Sequence, residues 1–60
     1  MYYEWKRSGA LVCYQYSSIL DSLVKNIYFG YSLPEAKKLF KQYVNELENM
    51  EKIKILCLNS

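Results

Sequence analysis

Histidine is absent from this sequence, and with it the side chain that most often serves as general base or metal ligand near neutral pH. The two cysteines, Cys13 and Cys57, lie 44 positions apart and form no C-x-x-C pair. Two thiolates without histidine fall short of a four-ligand zinc site, so no metal is expected. Gly9 and Gly30 are the two glycines, and Gly-rich phosphate loops are excluded with them. Pro34 is the single proline, and nothing reads as a linker or low-complexity tract. No run approaches the roughly 18 apolar residues of a membrane span. Charge of one sign is never concentrated: the net charge of +2 divides as +1 in residues 1–31 and +1 in residues 32–60, with no basic tail or stripe.

What is present is apolar and aromatic. Hydrophobic residues make up 52% of the 60 positions and aromatics 17%, too much for a disordered chain. The length allows one core, hence one domain over residues 1–60, and a core of this size rarely supplies more than about 3–5 kcal/mol. Self-association or a partner is a natural expectation from so thin a margin. The opening Tyr2-Tyr3-Glu4-Trp5 is not a basic region followed by an apolar run, and a cytoplasmic location is the expectation. Both thiols are expected reduced and buried in strands.

Residues 2–16 hold two runs rich in Tyr, Trp, Val and Leu around Ser8-Gly9, which reads as a two-residue hairpin loop. That loop sets Trp5 against Val12 and Tyr3 against Tyr14. Tyr3, Trp5, Val12, Tyr14 and Tyr16 then share one face, the side of the presumed helix. Tyr2, Glu4, Lys6, Leu11, Cys13 and Gln15 share the other. Residues 17–24 are ambiguous between a loop and a helical turn. A strand follows, with Ile27, Phe29 and Tyr31 on the core side and Tyr28 opposite. Ser32-Leu33-Pro34-Glu35 is a Ser-x-x-Glu capping box with proline in the first turn. From it Ala36, Leu39, Phe40, Tyr43, Val44 and Leu47 recur at helical spacing, and the helix is expected to end near Asn49 or Met50, before Glu51. Residues 52–58 alternate as a last strand. The fold class is therefore α+β: a small antiparallel sheet with one long helix packed on one face, in the order β-β-β-α-β.

No catalytic constellation can be assembled, so an enzyme is not expected. Only Cys13 and Cys57 are candidate nucleophiles, and small apolar strand residues are the simpler account of both. No cofactor is implied. The open sheet face, bearing Leu11, Cys13, Tyr28, Leu56 and Leu58 beside Glu4, Lys6 and Lys54, is an apolar cluster edged by charge, which marks a partner site. Leu11, Cys13, Tyr28 and Leu56 are the predicted contacts, and the function read from them is that of a regulator, inhibitor or accessory subunit. It would bind a protein partner, or a second copy, through the open face or a sheet edge. The alternative is a single-stranded nucleic-acid binder using Tyr2, Tyr28, Lys6 and Lys54.

Gly30-Tyr31-Ser32-Leu33-Pro34-Glu35-Ala36 resembles the strand-to-helix corner of HicB-type antitoxins, where a glycine, a capping Ser or Thr and a Glu-Ala pair follow a three-stranded sheet. The resemblance covers seven residues and the element order, and it implies inhibition of a partner protein by binding. The sequence shows no appended DNA-binding segment of the kind many such antitoxins carry, and no residue role is transferred.

Overall fold

The first hairpin is closed by three residues, not two. In the computed structural model, which describes residues 1–59 and side-chain surroundings through Cys57, the Lys6 amide donates to the Ala10 carbonyl at 2.8 Å, and the Gly9 amide donates to the Lys6 carbonyl at 3.0 Å. Arg7, Ser8 and Gly9 form the loop, with Gly9 at φ +89°, a turn closed by a glycine in the left-handed region. The extra residue slips the register by one. Strands β1 (Tyr2–Trp5) and β2 (Leu11–Ser17) pair as Tyr3 with Cys13, Glu4 with Val12, and Trp5 with Leu11. Because side chains alternate, the slip turns β2 over relative to β1. Leu11 and Cys13 thus join Tyr3 and Trp5 on the helix side, while Val12, Tyr14 and Tyr16 go to the open side.

Residues 17–24 are neither helix nor long connection. Ser17 ends β2, and β3 (Ser22–Tyr28) begins after four intervening residues in an antiparallel hairpin with Ser17 opposite Ser22. Asp21, at φ +51°, supplies the left-handed residue of the turn, and the Ser17 Oγ accepts from the Leu20 amide at 3.2 Å. The third strand therefore starts earlier than its aromatic run suggests, and it places Val24, Asn26 and Tyr28 toward the helix. Phe29 and Tyr31 fall beyond it, in the connection to the helix, and are exposed. The sheet is a meander in the order β1-β2-β3.

Helix α1 (Leu33–Asn59) begins at the capping box as expected. The Glu35 amide donates to Ser32 Oγ at 3.5 Å, Ser32 Oγ donates to the Glu35 carboxylate at 3.0 Å, and the Ala36 amide closes the first turn on the Ser32 carbonyl. Ala36, Phe40 and Val44, one turn apart, are driven into Leu11, Cys13 and Val24, and these six form the buried core. Tyr3, Leu20, Tyr28, Leu33, Tyr43 and Leu47 pack around it. At the far end of the sheet the buried Ser17 donates from Oγ to Glu48 Oε2 at 2.8 Å.

Past Glu48 the helix continues without a sheet beneath it. The expected final strand over residues 52–58 is helix instead, so the order is β-β-β-α. No glycine or proline follows Pro34, and extending an existing helix costs little once the first turn is formed. Glu51 does lie in line with the apolar stripe, but it sits past the sheet's end and is only half-buried, so its carboxylate is not forced into the core. The overhang from Asn49 to Asn59 measures roughly 16 Å at the usual helical rise. It gives the molecule a long dimension of 47 Å and a radius of gyration of 13.6 Å, against about 10 Å for a compact chain of this length.

Candidate functional site

The face of the sheet away from α1 is uncovered. The helix lies over β2 and β3 on their other side. Alternation places Tyr2 and Glu4 of β1, Val12, Tyr14 and Tyr16 of β2, and Leu23, Lys25 and Ile27 of β3 on the uncovered side. Cross-strand pairing arranges them in rows: Tyr2, Tyr14 and Lys25; Glu4, Val12 and Ile27; Tyr16 and Leu23. Tyr2, Tyr16 and Leu23 are each about three-fifths exposed, and Ile27 is 45% exposed. Only Val12, flanked on both sides in the central strand, is buried there, at 2%.

The polar groups at this face are already engaged. Lys25 Nζ stands 5.8 Å from the Tyr14 ring centroid, and the Tyr2 and Tyr14 rings meet at 5.6 Å. Lys6 Nζ donates to Glu4 Oε1 at 2.9 Å, which holds the ammonium above its ordinary pKa. The Tyr16 hydroxyl donates to Asp21 Oδ1 at 2.7 Å, and this bond pushes the phenol up. The result is an aromatic and aliphatic surface on which Glu4 and Asp21 balance Lys6 and Lys25.

The four predicted contact residues do not meet on it. Leu11 and Cys13 are 1% and 0% exposed, under the helix. Tyr28 faces the same way and packs against the core. Leu56, placed by expectation in a sheet strand, is on the overhanging helix and 68% exposed. The reason for the first three is the one-residue slip of β2 and the earlier start of β3; for Leu56 it is the continued helix. The nucleic-acid set is likewise dispersed: Tyr2 is on the open face, Tyr28 beneath the helix, Lys6 beside Glu4, and Lys54 on the overhang. Tyr14, Tyr16, Leu23 and Ile27 were the residues to find. The alternation of Leu23-Val24-Lys25-Asn26-Ile27-Tyr28, with Lys25 solvated on one side, is the signal that identifies their face.

The cysteines also divide. Cys13 is buried, and desolvation pushes its thiol up; Cys57 is exposed, contrary to the expectation of two buried thiols. Among the described residues no group of His, Cys, Asp and Glu could hold a metal ion, and no helix is long and apolar enough to cross a membrane. A shallow open concavity lies between Tyr31 and the helix residues Glu35, Lys38, Leu39 and Gln42.

A pH dependence follows from the buried face. Burial raises Cys13, Tyr3 and Tyr28 above their ordinary values. Each folded-state group therefore keeps its proton at a pH where the unfolded chain has lost it. Stability is complete below the unfolded-state values and falls as pH rises through about 9 and beyond. The urea midpoint should be flat from pH 7 to about 8.5 and then decline, with the earliest part of the decline removed in Cys13→Ala. A midpoint unchanged up to about pH 10.5 would contradict this.

Compared with known proteins, the chain matches no family model, no curated protein and no solved structure.

Proposed function

We propose that this chain is a non-enzymatic interaction module that docks a protein partner on the open face of its sheet. The observation that carries the reading is the contiguous uncovered surface of Tyr2, Tyr14, Tyr16, Leu23 and Ile27, with exposures of 62% at Tyr2 and 61% at Leu23 on the two outer strands. Leaving such a surface in water is costly, and a patch of this kind is characteristic of partner sites. Tyrosine-rich surfaces suit protein recognition because each ring offers a large apolar area with few rotamers to freeze. The absence of histidine and the buried, protonated Cys13 favour binding over catalysis.

Nucleic acid is the second reading, supported by three tyrosines on one face. It is disfavoured by charge: phosphate binding draws its affinity from several cations, whereas Lys6 and Lys25 here are matched in number by Glu4 and Asp21, and Lys6 is paired with Glu4.

The test is a photo-reactive side chain placed at Leu23, and for comparison at Lys41 on the outer face of α1, in the cells that make the protein. A protein adduct should form from position 23 and not from 41. It should disappear when Tyr16→Asp and Ile27→Asp are added, with the circular dichroism spectrum unchanged. Equal labelling from both positions would refute the reading. Binding to single-stranded oligonucleotides that weakens steeply with salt would transfer support to the alternative.

A further inference from the structure

We propose that the overhanging end of α1 pairs with the same segment of a second copy of this chain, antiparallel and centred on Met50. This surface is separate from the open sheet face, and the inference does not depend on the reading given above.

Tyr43, Leu47, Met50, Ile53 and Cys57 follow one another at spacings of four, three, three and four, and Glu46 and Lys54 stand four before and four after Met50, so the seven share a stripe beside the one that Ala36, Phe40 and Val44 turn into the core. Its first part is half-covered: Tyr43 and Leu47 touch the core edge. Beyond Glu48 there is no sheet, and Met50 and Ile53 are 67% and 62% exposed. Leu56 is exposed beside Ile53, whereas Ile55 is exposed on the opposite side of the helix, between Glu51 and Lys52. An exposed apolar stripe of this kind is better placed in an interface than in water.

The sequence itself says what the interface is with. Reflected about position 50, Leu47 falls on Ile53, Tyr43 on Cys57, and Glu46 on Lys54. Glu48 and Lys52, outside the stripe, obey the same reflection. Apolar residues thus meet apolar ones, and the acid meets the base, only when the second strand of the pair is this sequence running the other way. A two-fold axis through Met50 makes both Glu46–Lys54 contacts at once, as a self-complementary interface requires. A parallel pair would set Glu46 against Glu46 and Lys54 against Lys54, which is repulsive. Neither Glu46 nor Lys54 takes part in an ion pair of the described residues within the chain. Space is available as well. The sheet extends along the helix as far as Glu48, so in the antiparallel arrangement the two sheets clear each other, and residues 52–57 of each copy run beside residues 43–48 of the other.

The contact spans few turns, so a reversible dimer is expected. Sedimentation equilibrium with reductant, from about 10 μM to about 1 mM chain, should resolve monomer and dimer. At low salt Glu46→Lys and Lys54→Glu should each weaken association about tenfold or more, since each substitution acts twice per dimer, and the combined variant should recover it. Orientation is read by crosslinking. Met50→Cys in a Cys57→Ser background should oxidise to a covalent dimer. The unaltered chain should not, because the two copies of Cys57 would lie roughly 21 Å apart along the axis, far beyond disulfide reach. A monomer throughout the concentration range would overturn the proposal. So would a dimer indifferent to the two charge reversals, reversals that the combined variant fails to rescue, or a Cys57 crosslink forming as readily as one from Met50→Cys.

Discussion

Phe40→Ala is expected to leave the chain unfolded at room temperature. Phe40 is the largest fully buried side chain, at 0% exposure, and sits at the centre of the row Ala36, Phe40, Val44 that presses on Leu11, Cys13 and Val24. Truncating a buried phenylalanine costs about 3–5 kcal/mol, the lost transfer free energy plus the cavity left behind. A single-core domain of this length has about 3–5 kcal/mol in total, so one substitution spends the whole margin. Far-UV circular dichroism should show the sheet signal gone and no cooperative thermal transition. Phe40→Leu, which keeps most of the volume, should remain folded with a lower midpoint, at a cost near 1–1.5 kcal/mol. A cooperative melt of Phe40→Ala close to that of the unaltered chain would mean that the core lies elsewhere.

The second large effect separates two residues that sequence reasoning placed together. Leu11→Lys should destroy the fold, whereas Leu56→Lys should leave it intact. Leu11 is 1% exposed and would have to bury an ammonium without a partner, a cost of several kcal/mol. Leu56 is 68% exposed on the overhanging helix, where a surface substitution changes stability by about 0.5 kcal/mol or less. Thermal melts of the two variants decide the matter. The register is wrong if Leu11→Lys melts like the unaltered chain, because only a two-residue loop would put that side chain in solvent.

The register illustrates how little local information chose between two answers. Ser8-Gly9 is a reasonable two-residue turn, and Arg7-Ser8-Gly9 is an equally reasonable three-residue one. Binary patterning normally settles such a choice, but β2 is apolar on both faces: Leu11 and Cys13 on one, Val12, Tyr14 and Tyr16 on the other. Grouping Glu4 and Lys6 away from the aromatics of β2 therefore supported the wrong alignment. The aromatic count misled in the same way. Trp5, at the end of a short edge strand, is 55% exposed, and Tyr16 is 60% exposed on the open side, although both were expected in the core. Large aromatics are buried on average, yet they are also the residues that binding faces display.

The residues of the open face were legible only in part. Tyr2 was assigned to it correctly, because its place depends on β1 alone. Tyr14, Tyr16, Leu23 and Ile27 were not, since each depends on where β2 and β3 begin. The C-terminal segment failed for a different reason. Lys52-Ile53-Lys54-Ile55-Leu56 alternates with the period of a strand, but a strand must find an unpaired neighbour across a loop, whereas a helix needs only its preceding turn.

By itself, then, the sequence determined the features that act over a few residues: the Ser32–Glu35 cap, the apolar stripe from Ala36 to Leu47, the presence of a tight turn near Gly9, and the α+β class with its antiparallel sheet and single helix. Short-range sterics and hydrogen bonds set these directly, and no distant residue was needed to choose them. Tertiary structure decided which face of β2 is inside, where β3 starts, and how far α1 runs past the sheet. Those outcomes depend on burying Leu11, Cys13 and Val24 together under Phe40, a condition imposed by residues far apart in the chain, and satisfying it left the tyrosine face in solvent.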